Sequence, residues 1–507
     1  MSDTPLRNPG IYQTLLDLDK RFQKHLMAVA GYSRLDITAD VVVKAAALIA
    51  SFLMVAGYFA LLTLPVYGHD EAHYHVLYRF ALIDDGRWLN YLMLDFLRRV
   101  PLFIWSVLYL VTWWALLYRL ARACTLDTAF AALAASTLLA ASPFLEISLW
   151  PATVVPAVSL VLLAGWMHAR GIAYPVIYIV SGVLLFGALQ TLYFLLPLLF
   201  AQQFLDATVP ARVRLLLLFR HMLWWVGGSI AGVLVMSLML WLLADIYFPQ
   251  PAPWRNTRPV VDLASLFENI RYVATNFALW LEQLLRNGGV TWGFILTCAG
   301  VALLRARPLF AQAPALLLLL AVLISFFVFS IPYAPAIHMR SLVAMAAVVV
   351  LGIGILVGRS AIGRIIGAVL LLKMAHYYAL KCEVFLENQR DETAFLLGKM
   401  QDLFPGYPMA YPALVLDGTV DPTRPEARRF NDSSLMHPVL ASLGAIEVLD
   451  CRIAARCNLL DLSLGVPIAE VPFADGRLEL LELPIPDRTL ELTTGPTTIA
   501  LIRYRAD

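Results

Sequence analysis

The chain has 507 residues, 60% hydrophobic and 15% charged, with a formal net charge of +2. Soluble domains are about 45–50% apolar and about 25% charged. The composition therefore excludes a soluble enzyme, a disordered chain and a disulfide scaffold, and it points to a bilayer. The small total charge gives no sign of a nucleic-acid partner, yet it hides an asymmetry: residues 1–381 carry +10 and residues 382–507 carry −8. That is the pattern of a basic membrane portion followed by an acidic soluble tail.

Residues 1–40 are polar and amphipathic, and a cleavable leader is not expected there. Ile11, Leu15, Leu18, Phe22, Leu26 and Val29 recur at three and four residues, one apolar stripe of a helix, with Lys20, Arg21 and Lys24 beside it. A helix lying on the inner membrane face is the expectation, and a self-association helix is the alternative.

A span needs about 20 apolar residues. Apolar runs predict eleven, near 42–64, 101–120, 128–144, 149–167, 173–188, 190–205, 222–244, 289–304, 309–330, 338–358 and 361–380. The fifth and sixth lie back to back around Gln190 and Thr191, either as a tight hairpin or as one broken helix, so the count runs from ten to twelve. With the N-terminus inside, the short inner loops collect Arg119, Arg122, Arg170, Arg212, Arg214, Arg220, Arg305, Arg307, Arg359 and Arg364, whereas the short outer turns carry only Arg340. By the positive-inside rule this orientation holds at every turn, and an odd count leaves the C-terminus outside.

The expected organisation is a cytoplasmic segment 1–40, a transmembrane domain 41–381 with large outer loops 65–100 and 245–288, and a periplasmic domain 382–507. The last begins with a helix-like stretch, 383–404, followed by short Val/Ile/Leu runs broken by Gly, Pro and Asp. The fold class is an all-α polytopic membrane protein of about eleven spans with a small C-terminal α+β domain. The expected location is a bacterial inner membrane.

Among five cysteines, Cys124 falls inside, Cys298 in a span, and Cys382, Cys451 and Cys457 outside. Cys451 and Cys457 are close enough to bridge in an oxidising compartment, and spacing alone leaves that open.

The first outer loop concentrates the chemistry. It reads Tyr67-Gly-His-Asp-Glu-Ala-His-Tyr-His75, then Asp84-Asp-Gly-Arg-Trp88. Asp70 and Glu71 stand just past the first span, and carboxylates at membrane depth are costly unless they face a cavity with a partner. His69 and His73, four apart on a helix, have a spacing compatible with one metal, while His75 and the loop context favour ordinary surface histidines; no metal is expected. Arg87 is either a snorkelling cation beside interfacial Trp88 or a planar donor set for a phosphate or carboxylate. Asp85 joins the same substrate-facing set.

Glu146 is the only charge of the second outer turn, with Trp150-Pro151 following, and Arg340 is the lone cation of the turn Tyr333–Arg340. Trp254-Arg255-Asn-Thr-Arg258 in the third large loop offers Arg255 to a sugar or phosphate, or forms an amphipathic lip.

The order of these features resembles the bacterial serotype-converting glucosyl transferases that modify O-antigen, within the GT-C class of polytopic glycosyltransferases. The resemblance rests on Asp70-Glu71 and, about fifteen residues later, Gly86-Arg87-Trp88-Leu89. In layout it covers residues 40–380, and in residues only the first outer loop; Asp-Glu stands where two aspartates are usual.

What the resemblance implies is a GT-C-like catalytic domain that takes a polyprenyl-phosphate-linked sugar, with glucose the first candidate. The acceptor is then a glycan outside the membrane, such as lipopolysaccharide O-antigen. Under it Asp70 or Glu71 is the catalytic base and Arg87, Trp88, Asp85, Glu146, Arg340 and Arg255 bind substrate, with membrane lipid as a further partner and no cofactor. A lipid-linked glycan flippase or transporter and an assembly protein are the competing readings. A transporter is expected to show paired broken helices near the midplane, and the chain has one candidate break, at Gln190.

Overall fold

The structure, a computed structural model, describes residues 32–63, 82–83, 85–97, 99–124, 126–206, 208–250, 257–287, 306–335, 337–357, 361–403, 413–417, 447–450, 478–485 and 497–504. The amphipathic stripe of residues 11–29, the expected span 289–304 and Cys298, Cys451 and Cys457 lie outside them.

The chain folds into helices α1 (Tyr32–Gly57), α2 (Trp88–Leu92), α3 (Leu102–Ala123), α4 (Thr128–Leu139), α5 (Ser142–Ile147), α6 (Pro151–Ala169), α7 (Tyr174–Ala188), α8 (Ala211–Ala244), α9 (Leu263–Asn287), α10 (Ala306–Ser330), α11 (Val343–Val357) and α12 (Ala361–Leu403), with short turns of helix between them. Proline marks many starts: Pro101 and Pro210 precede α3 and α8, and Pro143, Pro151 and Pro175 open α5, α6 and α7. Its fixed φ and missing N–H suit the first turn, where the donor has no helical partner anyway. Asp127 caps α4 by accepting the Phe130 N–H at 2.9 Å.

Among the described residues five helices are long and apolar enough to cross a membrane: Asp36–Gly57, Leu102–Ala123, Pro151–Ala169, Ala211–Ala244 and Ala361–Asp391. Shorter apolar helices occupy Thr128–Leu139, Tyr174–Ala188, Leu317–Ser330 and Met339–Gly352. The described part is thus a helical membrane-spanning protein. Burial sorts the helices into two kinds. On α1 and α8, Leu48, Phe52, Phe219, Leu234 and Leu238 face outward, the exposure that lipid rewards and water does not. The apolar residues of α4 and the first half of α11 are almost all buried, forming the centre of the bundle.

Close contacts hold the layers. A Cβ on Gly182 of α7 would collide with the Gly228 carbonyl of α8, and one on Gly232 would meet Gly182 and Phe186. Small residues let these backbones approach, the usual way helices associate where apolar surroundings remove the hydrophobic drive. At one end of the bundle Arg364 of α12 reaches Asp127 at 3.0 Å and Asp40 of α1 at 3.5 Å, tying three helices together.

The expected span 190–205 differs in kind. The extended Leu189 ends α7, and Gln190–Phe200 is a 3-10 helix with Pro197 inside, followed by a single helical turn, Ala201–Leu205. Tyr193 packs on Phe186, and Phe200 on Tyr178 and His168, so the segment doubles back along α7 as a hairpin. At about 2.0 Å rise per residue its eleven residues cover roughly 22 Å, more than the same residues as α-helix. Packing against α6, α7, α10 and α11 supports this tighter geometry, which is otherwise short-lived.

Boundaries also shift: α8 begins at Ala211, ahead of the expected 222. Helix α1 begins at Tyr32, ahead of the expected 42, and α12 runs unbroken across position 382, where a domain boundary was expected. Beyond it, β1 (Ala413–Asp417), β2 (Glu447–Asp450), β3 (Leu478–Ile485) and β4 (Thr497–Tyr504) form one sheet in the order β2-β1-β4-β3. Strand β1 pairs in parallel with β2 and β4, and β3 pairs antiparallel with β4.

Candidate functional site

Two knots of polar residues form at the end of the bundle opposite Arg364. The first is the bend Asp85-Gly86-Arg87-Trp88. Gly86 donates to the Leu82 carbonyl at 2.9 Å, and Gln250 donates to Ile83 at 2.8 Å. Gly86 sits at φ +70°, a conformation that favours glycine, and a Cβ there would also force the Met236 side chain to shift. The bend turns Arg87 back onto Asp85, whose carboxylate it meets at 2.9 Å with both side chains about one-seventh exposed. Gln190, at the start of the 3-10 helix, donates to the Asp85 carbonyl at 2.6 Å. Trp88 lies against Gly187 so closely that any side chain there would collide with the indole.

The second knot joins α5 to the turn before α11. The Arg340 backbone N–H donates to the Glu146 carboxylate at 3.1 Å. The Arg340 guanidinium lies over the Trp150 ring at 4.5 Å, a cation–π geometry. Among the described residues no carboxylate forms an ion pair with that guanidinium. Burial pushes the Glu146 carboxyl up from its ordinary value, against the opposing pull of the Arg340 N–H and charge.

The first turn of α6 connects the knots. Its N-cap residue is Trp150, which underlies Arg340, and the Thr153 carbonyl one turn on accepts from Asn90 of α2 at 3.4 Å. Asn90 also donates to Ala188, the last residue of α7, at 3.3 Å. Asn90, Trp150 and Thr153 are buried, and Asn90 Oδ1, Trp150 Nε1 and Thr153 Oγ1 find no hydrogen-bond partner among the described residues. Such a concentration of unmatched polar atoms is uncommon in a packed interior.

The structure therefore brings together five of the sequence-derived candidates: Asp85, Arg87 and Trp88 in one knot, Glu146 and Arg340 in the other. Asp70, Glu71, His69, His73, His75 and Arg255 lie outside the described residues. Asn90, Thr153 and the bonding role of Gln190 are not among the residues expected from sequence. The available signal was a lone amide in an apolar stretch, Trp88-Leu-Asn-Tyr-Leu92, and another at the α7 break. Among the described residues no three His, Cys, Asp or Glu side chains are grouped to hold a metal ion, and Cys124 and Cys382 are buried free thiols.

No family model, curated protein or solved structure matches the chain.

Proposed function

We propose that the chain is an integral-membrane glycosyltransferase that moves a sugar, glucose first among the candidates, from a polyprenyl-phosphate donor to a glycan acceptor such as lipopolysaccharide O-antigen. One observation carries this reading: Arg340 over Trp150 beside Glu146, with the Asp85–Arg87 pair one helix away, at a single end of an apolar bundle. A lipid-linked sugar phosphate needs a cation for its phosphate at the membrane edge, an aromatic face for its sugar ring and an apolar wall for its tail.

Under this reading the protein sits in a bacterial inner membrane, N-terminus in the cytoplasm, with the two knots, the loops 65–100 and 245–288 and the segment 382–507 on the periplasmic side. Nucleotide sugars are cytoplasmic, so a site on that side calls for a donor that has already crossed, and a lipid phosphate sugar meets the requirement. In the reaction, Asp70 or Glu71 takes the proton from the acceptor hydroxyl as the oxygen attacks the anomeric carbon. General-base help is worth about 10²–10⁴-fold. The sugar passes through oxocarbenium character, and the lipid phosphate leaves with its growing charge held by Arg340 and Arg87. A single displacement inverts the anomeric centre.

The alternative is a lipid-linked glycan flippase or transporter, and the extended link at Leu189 between α7 and the 3-10 helix is the observation on its side. The deciding experiment incubates purified protein in nanodiscs with polyprenyl-phosphate-glucose and a lipopolysaccharide extract and follows release of the lipid phosphate. Release by the unsubstituted protein, abolished in Asp70→Asn and kept in Glu71→Gln, supports the transferase and names the base. No release with any of several lipid-phosphate sugars, together with movement of the same lipids in a liposome flipping assay, replaces it with the transporter.

A further inference from the structure

Helix α9 lies in a stretch that the sequence reading treated only as a large loop, and it has two unlike sides. At 3.6 residues per turn its apolar residues occupy one continuous arc of roughly 160°. Half of that arc is covered: Val273 and Trp280 are buried, and Phe277 and Trp280 meet Phe327 of α10 at ring distances of 4.9 and 6.3 Å. The adjoining half, Leu263, Phe267, Ile270 and Ala274, is exposed, Leu263 and Phe267 by about 70%. Glu268, Arg271, Thr275 and Glu282 fill the opposite arc, with exposed Leu279 and half-buried Tyr272, which lies under Arg258, the large apolar residues among them.

The crossing with α10 fixes the tilt. Asn269 donates to Ile331, just past the end of α10, at 3.0 Å, and Trp280 meets Phe327. Eleven residues of α9, about 16 Å of helix, thus pass only four residues, about 6 Å, of α10. Helix α9 lies steeply across α10 near its end. The segment leading into it is pinned at the same level, where Arg258 and Val260 donate to Tyr333 and Pro332. Helix α10 also carries outward apolar residues of its own: Ile324, Val328 and Phe329 are exposed. Exposed Tyr247, Phe248 and Tyr333 stand at this end of the bundle, as aromatic residues do at a membrane–water boundary.

We propose that α9 is an interfacial helix lying in the plane of the membrane, with Leu263, Phe267, Ile270 and Ala274 seated among lipid acyl chains and the Glu268–Arg271–Thr275 side in water. The partner is the lipid surface. A helix with a wide apolar arc and a charged back sinks about 5–10 Å into the boundary between headgroups and chains. The inference stands on the helix and its crossing, independent of the transferase reading.

The test places a nitroxide at Phe267→Cys and, separately, at Thr275→Cys in the full-length protein, reconstituted in nanodiscs of phosphatidylethanolamine and phosphatidylglycerol. Signal from the unsubstituted protein is subtracted. Collision with dissolved oxygen, which concentrates in lipid, is compared with collision with a water-soluble nickel chelate. The expected result is an oxygen-to-nickel ratio several-fold higher at position 267 than at 275. Equal ratios, or a label at 267 shielded from both reagents as a protein partner would shield it, overturn the proposal. Ile270→Cys against Arg271→Cys repeats the comparison should either first variant fail to fold.

Discussion

The Glu146 carboxylate accepts the backbone N–H of Arg340, a residue 194 positions away. Glu146 therefore grips the chain that carries Arg340, while Trp150, four residues beyond Glu146, underlies the guanidinium. One short stretch of sequence holds the arginine by its backbone and by its charge.

The acid has a pH signature. Burial raises the Glu146 carboxyl above its ordinary value of 4.5, so the folded state binds the proton more readily than the unfolded chain. Its contribution to stability is fully present below 4.5 and is lost as pH rises through the folded-state value. Glu146→Gln, which keeps an oxygen for the Arg340 N–H and removes the buried charge, is expected to melt at or above the unsubstituted protein at pH 7. The gap should narrow toward pH 4.5. Thermal unfolding in detergent across that range is the check, and a gap that widens on acidification contradicts it.

Arg340 tests the phosphate-binding role. Arg340→Ala removes charge and stacked plane together and is expected to lower kcat/KM for a lipid-phosphate sugar about 10²–10³-fold, the loss typical of one donor to a developing oxyanion. Arg340→Lys keeps the charge without the planar fork and should fall between. Equal turnover in all three proteins would remove Arg340 from the site.

Glycine is favoured at two places by the same backbone conformation, with a close neighbour at only one of them. Gly86 and Gly171 both sit at positive φ, +70° and +77°. A Cβ at Gly171 meets nothing, whereas one at Gly86 strikes Met236. Gly171→Ala should cost about 1–2 kcal/mol, the left-handed penalty alone. Gly86→Ala should cost more and should loosen the Asp85–Arg87 pair as well. Melting temperatures of the two variants give the comparison.

Asn90 supplies two donors to carbonyls on α6 and α7. Asn90→Asp keeps the shape and presents acceptors to acceptors. It is expected to destabilise by more than Asn90→Ala, which leaves two carbonyls unmet at about 1–3 kcal/mol. If Asn90→Asp is as stable as the unsubstituted protein, the bridge does not hold the two knots together.

Membrane character was readable from composition, because solvent class is a local property of a residue; the prolines that open α3, α5, α6 and α8 were a local signal left unused, and α8 begins at Ala211, well ahead of its expected span at 222. The pairing of Glu146 with Arg340 was not readable. Each stood out as the lone charge of its turn, but their meeting depends on how α5 and the turn before α11 pack across the bundle. The 3-10 helix escaped for the same reason, since Gln190–Phe200 is as apolar as any span and only its neighbours select the tighter winding. Helix α9 was legible and missed: Leu263, Phe267, Ile270, Ala274 and Phe277 recur at three and four residues. Its mean apolarity is too low for a span, so a search for spans passes over it.

Helix α12 has 43 residues and contains no proline. At 1.5 Å per residue it is about 65 Å long, roughly twice the 30 Å hydrocarbon thickness of a bilayer. It thus acts as a mast. A single unbroken helix of that length extends well past any one crossing of the hydrocarbon layer.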